Sequence, residues 1–198
     1  MDKNKSGSGS KSNSEVTIRT TLSGQELTLC STWGLFSPTE VDRGTRLLLD
    51  HLEVKPSDTA LDVGCGYGAI GLTIAKLAPQ GVVHLVDKDF VAISYAERNA
   101  RVNHLTNAKV YASNMLSAVP ENAQFDLIVS NPPAQVGKEL LTIMLRDSLT
   151  HLKPGGRIYL VTVSGLREFI KRHLMDVFGN YEKLKQGANH TVARAIKM

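Results

Sequence analysis

Residues 62–68 read Asp-Val-Gly-Cys-Gly-Tyr-Gly, overlapping the end of the short apolar strand Ala60-Leu61-Asp62-Val63 and directly before the helix-like stretch Ala69–Leu77. Few folds are open to a strand that turns through three alternate glycines into a helix. Glycine allows the positive φ such a turn needs, and without a Cβ it lets a ligand approach the main-chain N–H groups at the helix start. The next apolar run, Val82–Val86, leads into Asp87, 23 residues after Gly64. The alternation then continues: a helix over Phe90–His104, strands at Lys109–Ala112 and Phe125–Val129, and a helix over Gly137–Leu152. A break at Lys153-Pro154-Gly155-Gly156 precedes a strand at Arg157–Val163, a helix at Leu166–Phe178 and two strand candidates around Gly187. Strands alternating with helices of this length predict an α/β fold, a parallel sheet covered on both faces. The final strand pair has no helix between its members and predicts an antiparallel edge.

Ahead of this region, Val16–Thr20 and Glu26–Cys30 read as a hairpin across Leu22-Ser23-Gly24-Gln25. Trp33–Pro38 is a turn with two aromatics, and the helix after it carries Leu47, Leu48 and Leu52 and ends before Pro56. Residues 1–14 are Ser, Gly, Lys and Asn with almost nothing to bury, which predicts a flexible tail. The expected organisation is a tail over 1–14 and one domain over 15–198. Within that domain a hairpin and helix span 15–56 and the α/β core spans 57–198.

Composition narrows the class. Apolar residues make up 42% of the chain, enough for a sizeable core, and no apolar run reaches the length of a membrane span. Two cysteines, Cys30 and Cys65, support neither a disulfide framework nor a cysteine zinc site. The six histidines show no ligand spacing, so no metal is expected. A polar N-terminus without an apolar core segment predicts a cytoplasmic, reducing setting. Residues 151–198 carry nine Lys/Arg against three Asp/Glu, while the other 150 residues sum to −2. Such a basic quarter fits either a nucleic-acid footprint or a solvated surface.

A carboxylate at the tip of the second strand can accept both hydroxyls of a ribose, so Asp87 and the glycine turn together point to a nucleoside cofactor. Gly66-Tyr67-Gly68-Ala69-Ile70-Gly71 satisfies the dinucleotide pattern G-x-G-x-x-G. With Asp62 and Gly64 upstream, however, the turn reads D-x-G-x-G-x-G, which resembles the S-adenosyl-L-methionine loop of class I methyltransferases. The resemblance implies a loop of Gly64, Cys65, Gly66 and Gly68 around the cofactor. It sets Asp62 near the methionine end, and Asp87 on the ribose with Lys88 beside it. Asn114, in Ser113-Asn114-Met115, stands where that family carries an acid on the adenine; its amide oxygen can still accept, and Met115 joins it as a cofactor contact. Phe90, after Asp89, can edge the adenine or belong to the core.

Phe125-Asp126-Leu127-Ile128-Val129-Ser130-Asn131-Pro132-Pro133 carries the chemistry. Two prolines after the strand fix φ and remove two N–H donors. What remains is a corner of acceptors, the Asn131 side-chain oxygen and main-chain carbonyls, suited to an amino group with its two N–H donors. Catalysis in such a corner is mainly placement of the nitrogen against an electrophilic methyl. Asn131-Pro132-Pro133 after this glycine loop resembles the amino-directed methyltransferases, which act on adenine, guanine or a glutamine side chain.

Gly34-Leu35-Phe36-Ser37 and Val41-Asp42-Arg43-Gly44-Thr45-Arg46-Leu47-Leu48 resemble the segment before the fold in small-domain (MTS-type) methyltransferases, the group containing the ribosomal RNA guanine-N2 enzymes. Asn131-Pro132-Pro133 with Gly137-Lys138-Glu139, and Asp176-Val177-Phe178-Gly179-Asn180, are similar to a compact branch of it. Over roughly residues 15–198 the resemblance implies a Rossmann-like, seven-stranded, mostly parallel sheet with an antiparallel last strand and helices on both faces. It also implies Gly44 and Thr45 at the cofactor's amino-acid end, and ribosomal RNA as partner. The sequence departs from the family at Ala134, where an aromatic commonly stacks on the target base. Phe36 and Trp33 are candidates to replace it, and core packing is equally open to them. Lys138, at a helix start, is a candidate phosphate or carboxylate contact or a plain surface lysine. His190 is a weaker substrate candidate.

The expected activity is methyl transfer to an exocyclic amino nitrogen, guanine N2 of ribosomal RNA. The alternatives are a protein glutamine methyltransferase, an NAD-linked oxidoreductase and a non-catalytic nucleoside-binding RNA partner.

Overall fold

A computed structural model of the chain describes residues 15–198. The predicted tail over 1–14 lies outside the described residues. The hairpin forms as β1 (Glu15–Leu22) and β2 (Gln25–Thr32), and α1 spans Arg43–Leu49. Then come β3 (Ala60–Val63), α2 (Ala69–Leu77), β4 (Val83–Asp87), α3 (Phe90–Val102), β5 (Ala108–Ala112) and β6 (Phe125–Ser130). The chain closes with α4 (Lys138–His151), β7 (Leu152–Val163), α5 (Arg167–Phe178), β8 (Glu182–Gln186) and β9 (His190–Ile196).

Seven strands form one sheet in the order β5-β4-β3-β6-β7-β9-β8. The pairs from β5 to β7 are parallel, and β9 runs antiparallel to both its neighbours. The last strand is antiparallel, as expected, but it is inserted beside β7, and β8 forms the edge.

Side chains that alternate along a strand face opposite layers. Ala60, Leu127, Val129, Tyr159 and Val161 pack with the hairpin, α1, α2 and α3. Leu61, Val63, Ile128, Ile158 and Leu160 pack with α4 and α5. With both faces covered, the central strands are mostly apolar, as buried parallel strands require, with Asp62 of β3 and Ser130 of β6 as buried polar exceptions.

Lys153-Pro154-Gly155-Gly156 is not a loop between helix and strand. β7 begins at Leu152, which pairs with Phe125, and regular pairing resumes at Arg157 opposite Leu127. The four residues bulge out of the ladder with β6, where the missing N–H of Pro154 removes no strand bond, while Gly155 and Gly156 exchange hydrogen bonds with Lys197 beyond β9. The outer edge of β2 is closed by Asn99 of α3 and by Asn103, the cap at that helix's C-terminus. The Asn99 and Asn103 amides each accept from and donate to the backbone of one residue, Cys30 and Thr28 respectively. These side chains stand in for a third strand and dock the hairpin on α3.

The chain leaves β3 toward β4 and β5 on one side and later returns to β6 and β7 on the other. The strand order therefore reverses between β3 and β6, and open α/β sheets bind their ligands outside the carboxyl ends of such strands.

Candidate active site

A cavity of about 440 Å³ opens at that reversal, in the size range of small-molecule sites. Gly64, Cys65, Gly66 and Tyr67 of the turn after β3 form its base, with Ala69 and Ile70 of α2. Asp87 and Lys88 after β4, with Ser113, Asn114 and Met115 after β5, form one wall. Asn131 and Pro133 after β6 form the other with Gln135, Val136 and Leu140, and Phe36, Asp42 and Thr45 join from the N-terminal segment.

The turn is left-handed at Gly64 (φ 75°) and Gly66 (φ 55°), and a Cβ at either would stand in open space. Any other residue there would be strained and would intrude on a ligand lying along the turn. The Gly66 amide donates to Asp87 Oδ2 at 2.9 Å, and the Asp89 amide to Oδ1 at 3.0 Å. A carboxylate has about four acceptor sites, so Asp87 is anchored and keeps capacity for a ligand. Tyr67 holds the turn from the far side, its hydroxyl donating to the carbonyls of Ser37 and Glu40, and its own carbonyl accepts from Asn99 at 2.8 Å. Burial and the nearby Asp42 push that hydroxyl up to about 12, so it stays a donor. Met115 is held at φ 51° by Ser113, whose hydroxyl donates to the Met115 carbonyl at 2.7 Å.

Asp62 does not line the cavity. It lies beneath the turn, fully buried, its Oδ2 accepting from the Gly71 amide at 2.8 Å and its Oδ1 without a partner. Burial pushes its carboxyl up to about 7; the Gly71 bond opposes this and Asp87 adds to it. Burial, with the charges of Asp62 and Asp87, raises the Cys65 thiol well above its usual range, so it is a small neutral wall residue.

The Asn131 amide is fixed by residues far from it in sequence. Its Nδ2 donates to Asp42 Oδ2 at 2.9 Å and to Thr45 Oγ1 at 3.0 Å. The same Asp42 oxygen accepts from the Thr45 amide at 3.0 Å and caps α1. Both amide hydrogens are thus engaged, and Asn131 Oδ1 makes no hydrogen bond among the described residues.

Most of the predicted site residues therefore meet in one cavity, Phe36 among them at 64% exposure. Gly68, Pro132 and Lys138 lie off its walls, as Asp62 does. Gly68 takes φ 96° at the start of α2, and the Lys138 ammonium stands 5.7 Å from the centroid of the Phe169 ring. Trp33 and Phe90 are exposed and also off the walls. His190 abuts α1, where a Cβ at Gly44 would come within 2.9 Å of its ring. Sequence reasoning gave no role to Asp42, Tyr67, Ser113 or the wall of Gln135, Val136 and Leu140. Asp42 did carry a signal, as an aspartate placed to cap an apolar helix.

Among the described residues no His, Cys, Asp and Glu cluster is arranged to hold a metal, and no helix is long and apolar enough to cross a membrane.

The sequence profile of the family described as Methyltransferase small domain (MTS) matches residues 26–194. The chain belongs to this family. The family is one of class I S-adenosylmethionine-dependent methyltransferases, and its cofactor is S-adenosyl-L-methionine. The chain is 38% identical over 141 residues to the uncharacterized protein YbxB of Bacillus subtilis, covering 71% of this chain and 70% of that protein. It is 39% identical over 168 residues to ribosomal RNA small subunit methyltransferase C of Pseudomonas entomophila, covering 83% of this chain and 49% of the relative. Among solved structures it matches the T. thermophilus 16S rRNA N2 G1207 methyltransferase (RsmC) in complex with AdoMet and guanosine. The TM-score is 0.84 at 29% identity, over 93% of this chain and 51% of that one. The chain thus spans about half the length of these rRNA methyltransferases.

The cavity suits the family's cofactor. It combines a paired-oxygen acceptor at Asp87, an amide at Asn114, open space over Gly64 and Gly66, and an orphaned buried carboxylate oxygen at Asp62 just below.

Proposed function

We propose that the chain methylates an exocyclic amino nitrogen, guanine N2 of ribosomal RNA, and that Asn131 is its catalytic residue. The observation that carries this reading is the Asn131 amide, on a residue that lines the cavity, with both N–H groups taken by Asp42 and Thr45 and its oxygen without a partner among the described residues. The rRNA substrate is supported by the relatives named as small-subunit rRNA methyltransferases and by the basic final quarter of the chain.

When bound, S-adenosylmethionine supplies an electrophilic methyl group. Asp87 would hold the ribose hydroxyls, Asn114 would accept from the adenine amino group, and the turn from Gly64 to Gly66 would offer its backbone. Thr45, Cys65, Lys88 and Met115 would complete the cofactor contacts. Asp62, below the turn, acts on the methionine end indirectly, through its hold on α2 at the Gly71 amide. Asn131 Oδ1 would accept one N–H of the target amine and turn the nitrogen's lone pair toward the methyl group, and the methylated nitrogen, made acidic, would release its extra proton to solvent. The carbonyls around Pro132 and Pro133 complete the acceptor corner, since neither proline nitrogen can donate. Holding the reacting atoms in line within about 3–3.5 Å is the main contribution such a site makes.

A base must leave its stack to enter a cavity of this kind. Phe36, exposed on the wall, offers the stacking face that Ala134 lacks, and Lys138 is a phosphate contact outside the cavity. Methyl transfer from labelled S-adenosylmethionine to an unmodified 16S rRNA transcript, with the modified nucleoside identified by mass, tests the reading. N2-methylguanosine is the expected product. Transfer to protein glutamine with none to RNA would reject RNA as the substrate.

A further inference from the structure

We infer that Asp42, together with Thr45, is a positioning residue that sets which end of the Asn131 amide faces the substrate. The inference rests on the proposed role of Asn131 and adds a cause for it. An amide can present either its oxygen or its NH₂ to the cavity, and only the oxygen can receive an amine N–H. A proline-rich turn fixes the backbone at that point and leaves the side-chain amide free to flip.

Asp42 and Thr45 remove that freedom. A carboxylate is acceptor-only, so Asp42 Oδ2 at 2.9 Å admits Asn131 Nδ2 and repels Oδ1. A hydrogen bond to an ionised acceptor is about twice as strong as a neutral one. Thr45 Oγ1, at 3.0 Å, takes the second amide hydrogen. Flipping would set two oxygens against each other and turn two donors toward a substrate that itself brings donors.

Asp42 is in turn held in place. Its Oδ2 caps α1 through the Thr45 amide, and α1 is anchored by the buried Leu48 and Leu49. The acceptor and the amide it orients are 89 residues apart. The N-terminal segment is therefore part of the reaction's geometry as well as a wall of the cavity.

Three substitutions separate the tasks of Asp42. Asp42→Asn can place an amide oxygen where Oδ2 now lies and keep both bonds. Asp42→Ser keeps a good helix cap but is one bond too short to reach Asn131. Asp42→Ala loses both. The direct readout is the Asn131 side-chain NH₂ pair in the full chain labelled with ¹⁵N-asparagine, identified by its disappearance in Asn131→Ala. In the native protein and in Asp42→Asn the two hydrogens should be inequivalent and protected from exchange. In Asp42→Ser protection should fall by about tenfold or more.

On a 16S rRNA transcript with labelled S-adenosylmethionine, Asp42→Ser should lower kcat by ~10²-fold, the scale of a small misplacement, with little change in KM for the cofactor. In an Asn131→Ala background the same change should cost nothing further, because the residue it acts through is gone. Unaltered Asn131 signals in Asp42→Ser, or fully additive losses, would overturn the inference. Wild-type turnover in Asn131→Ala alone would instead remove the role of Asn131, while the amide signals still report on the Asp42 bond.

Discussion

The buried carboxylate of Asp62, at the end of β3, accepts a 2.8 Å hydrogen bond from the amide of Gly71 in α2. This contact requires the helix to lie very close to the sheet. A Cβ at Gly71 would stand 2.5 Å from Cγ of the fully buried Leu85 and 3.0 Å from Asp62 Oδ2. The last glycine of the apparent dinucleotide pattern is therefore a packing glycine. Gly71→Ala should destabilise the protein by about 1–3 kcal/mol, as overpacking does, despite the better helix propensity of alanine. Urea unfolding checks this, and a variant as stable as the native chain would contradict the packing argument.

Asp62 also makes stability depend on pH. Its carboxyl titrates at about 7 when folded, against 3.8 as the ordinary value. Between these values the folded chain holds a proton that the unfolded chain has released, so this group's contribution falls as pH rises through the window and levels off above it. Asp62→Asn keeps an acceptor for Gly71 and removes the titration. The Tm of the variant relative to the native chain should therefore rise from pH 4.5 to pH 7.5, measured without cofactor. A difference that stays constant across that range would show that Asp62 is not the titrating group.

Asp87 has two tasks: it ties Gly66 and Asp89 in place and offers its remaining acceptor sites to a ribose. Asp87→Ala should weaken S-adenosylmethionine binding by about 1.5–3 kcal/mol for each charged hydrogen bond lost. Calorimetry reads this directly, and an unchanged affinity would mean that the ribose lies elsewhere.

Phe36 is exposed on the cavity wall, where a ring has no packing reason to be. If it stacks on the target base, Phe36→Ala should weaken binding of a 16S rRNA transcript by about 1–3 kcal/mol, and Phe36→Tyr should retain it. Equal RNA affinity in Phe36→Ala would leave the base without this platform.

The α/β core was legible in the sequence because its signals are local. Ala60–Val63 and Ala69–Leu77 have the bounds their apolar runs suggest, and the glycines between them mark the turn. The bulge at Lys153–Gly156 was not, because Pro-Gly-Gly reads as a break whether the chain leaves the sheet or only its ladder. In the site, Asp87 and Asn131 were recognisable as polar residues at strand ends, and Asn114 through the family resemblance. The bond from Asp42 to Asn131 was hidden, since nothing local to either residue reports a partner 89 positions away. The Asn99 and Asn103 clamps on β2 were hidden in the same way, reading as ordinary polar turns of a helix.

The central claim is that the Asn131 oxygen receives the target amine. Its most direct test is single-turnover methyl transfer to a 16S rRNA transcript at saturating S-adenosylmethionine, comparing the native chain with Asn131→Ala and Asn131→Asp. Loss of one oriented hydrogen bond of this kind costs about 10²–10³-fold in rate, so Asn131→Ala should fall by that much with cofactor affinity nearly unchanged. Asn131→Asp keeps acceptor oxygens but sets a second carboxylate against Asp42. It should lie between alanine and the native residue. A native rate in Asn131→Ala would contradict the account and leave Asn131-Pro132-Pro133 as a rigid turn.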